Sequence, residues 1–156
     1  MIVIDIPGFG ELRLAHLVLD FNGTLASDGT LIAGVPPLLR ALSSELDIHV
    51  VTADTFGRAA LELEGLPVEL AILGTSNQDE AKLELVQRLG APTVAAIGNG
   101  RNDRRMLRAA ALGIAVLQHE GAAQDALAAA QVVVPGIVAA LELLTHPLRL
   151  VATLRT

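Results

Sequence analysis

Leu17-Val18-Leu19-Asp20-Phe21-Asn22-Gly23-Thr24-Leu25 reads as a buried strand that ends on a carboxylate and turns at once through a glycine. In an open α/β sheet, ligands bind outside the carboxyl ends of the parallel strands. An Asp at such an end, followed by Gly-Thr, is placed to act as a nucleophile or a metal ligand. The plainer alternative is an Asp that caps a turn.

Three later features bear on that choice. His49-Val50-Val51-Thr52 is a second apolar strand, ending on a hydroxyl. Lys82 is the sole lysine, against ten arginines. A compact ammonium on a flexible stem is not interchangeable with a planar guanidinium, so a lysine in an arginine-rich chain is informative. Val94-Ala95-Ala96-Ile97-Gly98-Asn99-Gly100-Arg101-Asn102-Asp103 is another strand that runs into glycine, amide and carboxylate. The order Asp, Thr, Lys, Gly-Asn-x-x-x-Asp resembles the four motifs of the haloacid dehalogenase (HAD) superfamily, largely phosphatases and phosphoryl-transfer ATPases. More narrowly, Asp20 to Leu25, Thr52-Ala53-Asp54-Thr55 and Gly98 to Asp103 look like the phosphorylation domain of P-type ATPases and its small soluble relatives. The resemblance covers nearly the whole chain.

Composition narrows the function classes. At 156 residues the chain is expected to form one HAD-like hydrolase domain over 1–156. A 52% hydrophobic content and mean hydropathy of +0.54 leave ample material for a core. Three Phe with no Trp or Tyr provide few stacking platforms. A net charge of −6 and a pI near 5.1 also argue against a nucleic-acid groove. Without cysteine there are no disulfides or thiolate metal sites. Residues 1–10, with Asp5, Pro7 and two glycines, do not read as a signal peptide. No apolar run approaches the roughly 18 residues of a membrane span. A soluble, cytoplasmic protein without membrane or nucleic-acid partners is expected.

Residues 2–6 and 11–15 flank Pro7-Gly8-Phe9-Gly10 and suggest an initial hairpin whose second arm leads toward Asp20. A second short hairpin is expected over 25–33, centred on Asp28-Gly29. By resemblance it flaps over the active site. With only 31 residues between Asp20 and Thr52, and a helix near 35–46 among them, no cap domain fits. Strands are predicted near 47–52, 68–73, 93–97, 113–117 and 131–134. Helices are predicted near 55–64, 77–89, 101–110, 121–129 and 135–145, with a short helical or extended tail after Pro147. The alternation argues an α/β fold: a three-layer, Rossmann-like, mainly parallel sheet with helices on both faces. Within 77–89, Ala81, Leu85 and Leu89 recur at spacing four as the inward positions.

The resemblance implies a Mg²⁺-dependent phosphohydrolase acting on a small phosphorylated substrate. Asp20 is the implied nucleophile, forming an aspartyl-phosphate. Thr52, Lys82 and Asp103 complete the catalytic set. Phosphate is held by Phe21, Asn22, Gly23, Thr52, Ala53 and Lys82. The metal is held by the Asp20 carboxylate, the Asn22 carbonyl and the Asn99 side chain. Asp103 either holds a metal-bound water or orients Lys82. Mg²⁺ takes oxygen ligands of these kinds. By resemblance, capless members assemble as oligomers or act on large substrates, and the apolar content and the extra hairpin fit a homo-oligomer.

Two departures from the common phosphatase pattern matter. Most HAD phosphatases carry an Asp two residues after the nucleophile, as general acid and base; this chain has Asn22. An amide cannot shuttle a proton, a role worth roughly 10²–10⁴-fold. Hydrolysis is therefore expected to be slow, or confined to leaving groups needing no protonation, such as acyl phosphates or nucleotides. Asn99 stands where a metal-binding Asp is usual, which removes one formal negative charge and lowers the expected Mg²⁺ affinity.

Other polar residues have plainer readings. Asp54 serves equally as a helix N-cap. His16, His49, His119 and His146 show no ligand spacing. Arg101, Arg104, Arg105 and Arg108 form a solvated helix face. The alternative function is a catalytically weak phosphate- or nucleotide-binding, or regulatory, module with the same fold. Asn22 and Asn99 favour it; Asp20, Thr52, Lys82 and Asp103 together speak against it. A Rossmann nucleotide loop at Ile97-Gly98-Asn99-Gly100 lacks a third glycine and leaves Asp20 to Leu25 unexplained.

Overall fold

The computed structural model describes residues 1–54 and 57–156. Alternating apolar and polar residues build the first two strands, β1 (Ile2–Ile6) and β2 (Gly10–Leu14), into an antiparallel hairpin. Ile4, Ile6, Leu12 and Leu14 are buried, while Val3, Asp5, Glu11 and Arg13 face outward, the alternation a half-buried ribbon requires. The pair forms its own two-stranded sheet, and Ala15 separates it from the strand carrying Asp20.

The central sheet uses near-continuous apolar runs, as parallel strands buried on both faces do. Its strands are β3 (His16–Asp20), β6 (Asp47–Thr52), β7 (Glu69–Ile72), β8 (Val94–Gly98), β9 (Leu112–Val116) and β10 (Val132–Val134). All five pairings are parallel, in the order β10-β9-β8-β3-β6-β7. The chain thus builds β3, β6 and β7 in one direction, then returns to β8 on the other side of β3. The carboxyl ends of β3 and β8 consequently flank a topological switch, the crevice where open α/β sheets bind ligands.

Pleating sends alternate residues to opposite layers. Leu17, Leu19, Ile48, Val50, Ala95 and Ile97 join one core with α1 (Val35–Leu42), α6 (Ile137–Thr145), α7 (Pro147–Leu154) and the hairpin. Val18, Val51, Val94 and Ala96 join the other, under α3 (Gln78–Leu89), α4 (Arg104–Ala109) and α5 (Gln124–Ala129). The small α2 (Arg58–Glu62) follows β6. A second short hairpin consists of β4 (Ala26–Ser27) and β5 (Thr30–Leu31) around Asp28-Gly29, both at positive φ (51° and 78°), the conformation a two-residue primed turn demands.

Several boundaries differ from the periodicity reading. α1 stops at Leu42 instead of 46, where the Ser43 and Ser44 hydroxyls bond back to the Arg40 and Ala41 carbonyls and compete with helix continuation. The helix expected over 55–64 is limited to Arg58–Glu62 within the described residues, and Thr55 lies outside them. The helix expected over 101–110 begins as a 3-10 turn at Arg101–Asp103, and that expected over 121–129 begins at Gln124. The tail is helical. In α3 the buried positions are Lys82, Leu85 and Val86, with Ala81 and Leu89 only half-buried. The inward face is rotated by about one residue from the apolar stripe, because it carries the lysine. Among the described residues no single helix is long and apolar enough to cross a membrane.

Candidate active site

Three adjacent strands deliver their last residues to one place: Asp20 ends β3, Thr52 ends β6 and Gly98 ends β8. Lys82 reaches the same point from the second turn of α3. Its side chain is 1% exposed, and Nζ donates to Asp20 Oδ1 at 2.7 Å and to Asp103 Oδ1 at 2.6 Å. The other Asp103 oxygen accepts the backbone N–H groups of Asn99 (3.0 Å) and Gly100 (2.8 Å). Asp103 therefore closes the loop after β8 and fixes the lysine with the same carboxylate. Gly98 is required beneath it, since a Cβ there would lie 2.5 Å from that carboxylate.

The turn after Asp20 is equally constrained. Gly23 has φ 77°, and a Cβ on it would lie 2.5 Å from the Asn99 amide. Its N–H donates to the Ala26 carbonyl at 2.9 Å, so this amide is engaged inside the fold. Phe21 is buried in the core through its ring. Thr24, which the sequence reading left without a role, is fully buried. Its hydroxyl lies 3.2 Å from Asp20 Oδ2 and 3.3 Å from Asn99 Oδ1. Asn99 Nδ2 donates to the Gly121 carbonyl at 3.0 Å, which leaves Oδ1 to the Thr24 hydroxyl. A cleft of about 290 Å³ opens here, lined by Asp20, Asn22, Thr52, Ala53, Asn99 and the amide pair Gln78 and Asn102, themselves bonded at 2.9 Å.

Two carboxylates and one ammonium are thus buried together, leaving an excess of negative charge. Burial first, and the Asp103 charge second, push the Asp20 carboxyl up to about 7 despite Lys82 and Thr24. Burial pulls the Lys82 ammonium the other way, but Asp20 and Asp103 more than offset it and hold its pKa above the usual lysine value. The oxygens of Asp20 and Asn99 converge on one hydroxyl in an electronegative pocket. A hard oxygen set with uncompensated charge suits Mg²⁺.

The remaining sequence candidates fall elsewhere. Asp54 accepts from the N–H groups of Ala59 (3.0 Å) and Ala60 (3.4 Å), capping α2. Arg101, Arg104 and Arg105 pair with Asp125, Asp79 and Glu80 on the flanking helices. His16 and His49 sit toward the opposite end of the sheet.

The chain matches no family model. Solved structures share its fold. The Mg²⁺-, phosphate- and KDO-bound 3-deoxy-D-manno-octulosonate 8-phosphate phosphatase of Moraxella catarrhalis superposes with TM-score 0.71 at 18% identity, over 85% of this chain and 86% of that one. The cobalt-bound phosphatase of Haemophilus influenzae gives 0.69 at 16% identity, over 89% of each chain. A Streptomyces avermitilis protein described as a HAD family hydrolase gives 0.67 at 24% identity, over 83% of this chain and 82% of its own. In sequence, 79 residues, 48% of this chain, align at 40% identity with 85% of the uncharacterized protein MJ0073 of Methanocaldococcus jannaschii. The chain, built on the HAD fold, belongs to the family of that archaeal protein.

Proposed function

We propose that this protein is a Mg²⁺-dependent phosphohydrolase that works through an aspartyl-phosphate on Asp20. The observation that carries the reading is the buried Asp20–Lys82–Asp103 cluster at the switch point of a HAD fold. Mg²⁺ held by the Asp20 carboxylate, the Asn22 carbonyl and Asn99 Oδ1 supplies the positive charge that offsets repulsion between Asp20 and a phosphate. Asp103, with both oxygens already engaged, acts by orienting Lys82.

An Asp20 oxygen attacks phosphorus; the new O–P bond forms as the bond to the leaving oxygen breaks, and that oxygen departs with the electron pair. Lys82 neutralises charge on the transferring oxygens and the Thr52 hydroxyl donates a hydrogen bond to one of them, as phosphoryl transfer demands. Since the Gly23 amide is engaged by Ala26, the Phe21 and Asn22 amides are the phosphate-binding donors of this turn. Water then attacks phosphorus, the bond to Asp20 breaks with its electron pair returning to the carboxylate, and inorganic phosphate leaves carrying both protons of the water. Asn22 neither gives nor takes a proton in either step, the feature shared with the P-type phosphorylation domain. Small acyl phosphates, whose carboxylate departs unprotonated, are the substrate class that suits this chemistry.

Phosphate release from acetyl phosphate and para-nitrophenyl phosphate, with Mg²⁺ or EDTA, tests the reading beside Asp20→Asn. Metal-dependent turnover lost in Asp20→Asn is expected, with acetyl phosphate preferred. Asn22→Asp should raise turnover of unactivated esters by roughly 10²-fold or more. Equal release by wild type and Asp20→Asn on every substrate would favour the binding module instead.

A further inference from the structure

We propose that Gln118 is a positioning residue for the metal side of this site, an inference that rests on the metal-dependent reading above. Gln118 lies in the loop between β9 and α5, 95 residues from the turn it touches. Its Nε2 donates to the carbonyls of Gly23 (2.9 Å) and Thr24 (2.7 Å), and its Oε1 accepts the N–H of Ile137, the first residue of α6, at 3.0 Å. The same loop grips Asn99: the Gly121 carbonyl accepts from Asn99 Nδ2, and the Ala123 N–H donates to the Asn99 carbonyl at 2.8 Å.

One loop therefore holds both the turn after Asp20 and the amide beside it. The Phe21 carbonyl accepts the Thr24 and Ala26 N–H groups, and the Gly23 and Thr24 carbonyls are taken by Gln118. Among the hydrogen bonds of the described residues, the Asn22 carbonyl is the one oxygen of this turn without a donor, free to face a cation. Gln118 selects that carbonyl by occupying its neighbours. Groups that orient metal ligands from behind typically change metal affinity by about 10–100-fold when removed.

The test is direct Mn²⁺ binding, read by electron paramagnetic resonance, in wild type, Gln118→Met and Gln118→Glu, with thermal unfolding of each metal-free protein alongside. Gln118→Met removes all three bonds. Gln118→Glu keeps an acceptor for Ile137 but has no N–H for the two carbonyls. Both variants are expected to stay folded and to bind Mn²⁺ about tenfold more weakly or worse. Should Gln118→Met unfold, Gln118→Glu decides alone, because a role confined to α6 would leave its Mn²⁺ affinity unchanged. Affinity within about twofold of wild type in folded Gln118→Glu overturns the proposal. So does unfolding of both variants, or a wild type that binds no Mn²⁺. Phosphate release is scored separately. Weakened Mn²⁺ binding in a protein with no Asp20-dependent turnover would sink the phosphohydrolase reading alone, and intact binding in an active enzyme would sink the Gln118 proposal alone.

Discussion

The two ends of β3 and β6 carry ionisable groups in very different circumstances. His16 and Asp20 stand on the same face of β3, separated by Val18 and one further pleat. At the carboxyl end, Asp20 meets a lysine delivered by α3 and a second carboxylate, with Lys82 and Asp103 essentially inaccessible. At the amino end, the His16 and His49 rings lie 5.6 Å apart. His49 Nδ1 is 3.0 Å from a Glu69 side chain that is 82% exposed, and Asp47 beside His16 is 79% exposed. The roomier cavity, about 640 Å³, is at this histidine end. Its carboxylates are solvated, so it lacks the buried charge that distinguishes the smaller cleft. A helix seals one end with a counter-charge and leaves the other solvated, and cavity size does not follow that distinction.

Lys82→Met should produce the largest contrast between the ends. Two buried carboxylates would lose their cation, a change worth about 3–5 kcal/mol of stability. Urea unfolding in EDTA at pH 8 measures it. Comparable stability in the variant would mean that the carboxylates reach solvent and that the sealed-end description is wrong.

Opposite pH slopes come next. Asp20 has its folded-state pKa raised to about 7 by burial and Asp103, so the folded state holds a proton that the unfolded state releases near 4. Between about pH 4 and pH 7 the folded state therefore binds more protons, and metal-free stability falls as pH rises, by up to about 1.4 kcal/mol per unit. Asp20→Asn should flatten that limb. His49 has its pKa lowered, chiefly by burial and against the pull of Glu69. There the unfolded state binds more protons below about pH 6.5, so stability is complete above that value and is lost as pH falls toward the folded pKa. His49→Gln should remove this opposite slope in the same denaturant series. Slopes of one sign for both groups would contradict the comparison.

Glu69→Ala should be the smallest perturbation. An exposed partner contributes roughly 0–1 kcal/mol, and urea unfolding at pH 8 should show a change within that range. A loss near that of Lys82→Met would place the histidine end on the same footing as the cleft.

Much of this was readable along the chain. The apolar run into Asp20 announced a buried strand, and the order Asp20, Thr52, Lys82, Asp103 foreshadowed their meeting. The turn residues Asp28-Gly29 marked the second hairpin. Less legible was the inward face of α3, because an apolar stripe cannot reveal that a charged residue is the one facing in. Thr24 stood inside the decisive motif, yet a hydroxyl's partners depend on what lies across the turn. Gln118 had no local signal at all, since its bonds cross nearly a hundred residues.

Strand and helix periodicity, the carboxylate at a strand end and the isolated lysine are properties of residues and their near neighbours. They were sufficient for the α/β architecture and for setting Asp20 and Lys82 apart, while the resemblance to the HAD motifs nominated the other candidate residues. Burial, the raised proton affinity of Asp20, and the clamp of Gln118 and Gly121 on the two loops arise only when distant strands and helices pack. Electrostatics and hydrogen bonding act through space, and their strength depends on how much water the packed chain excludes.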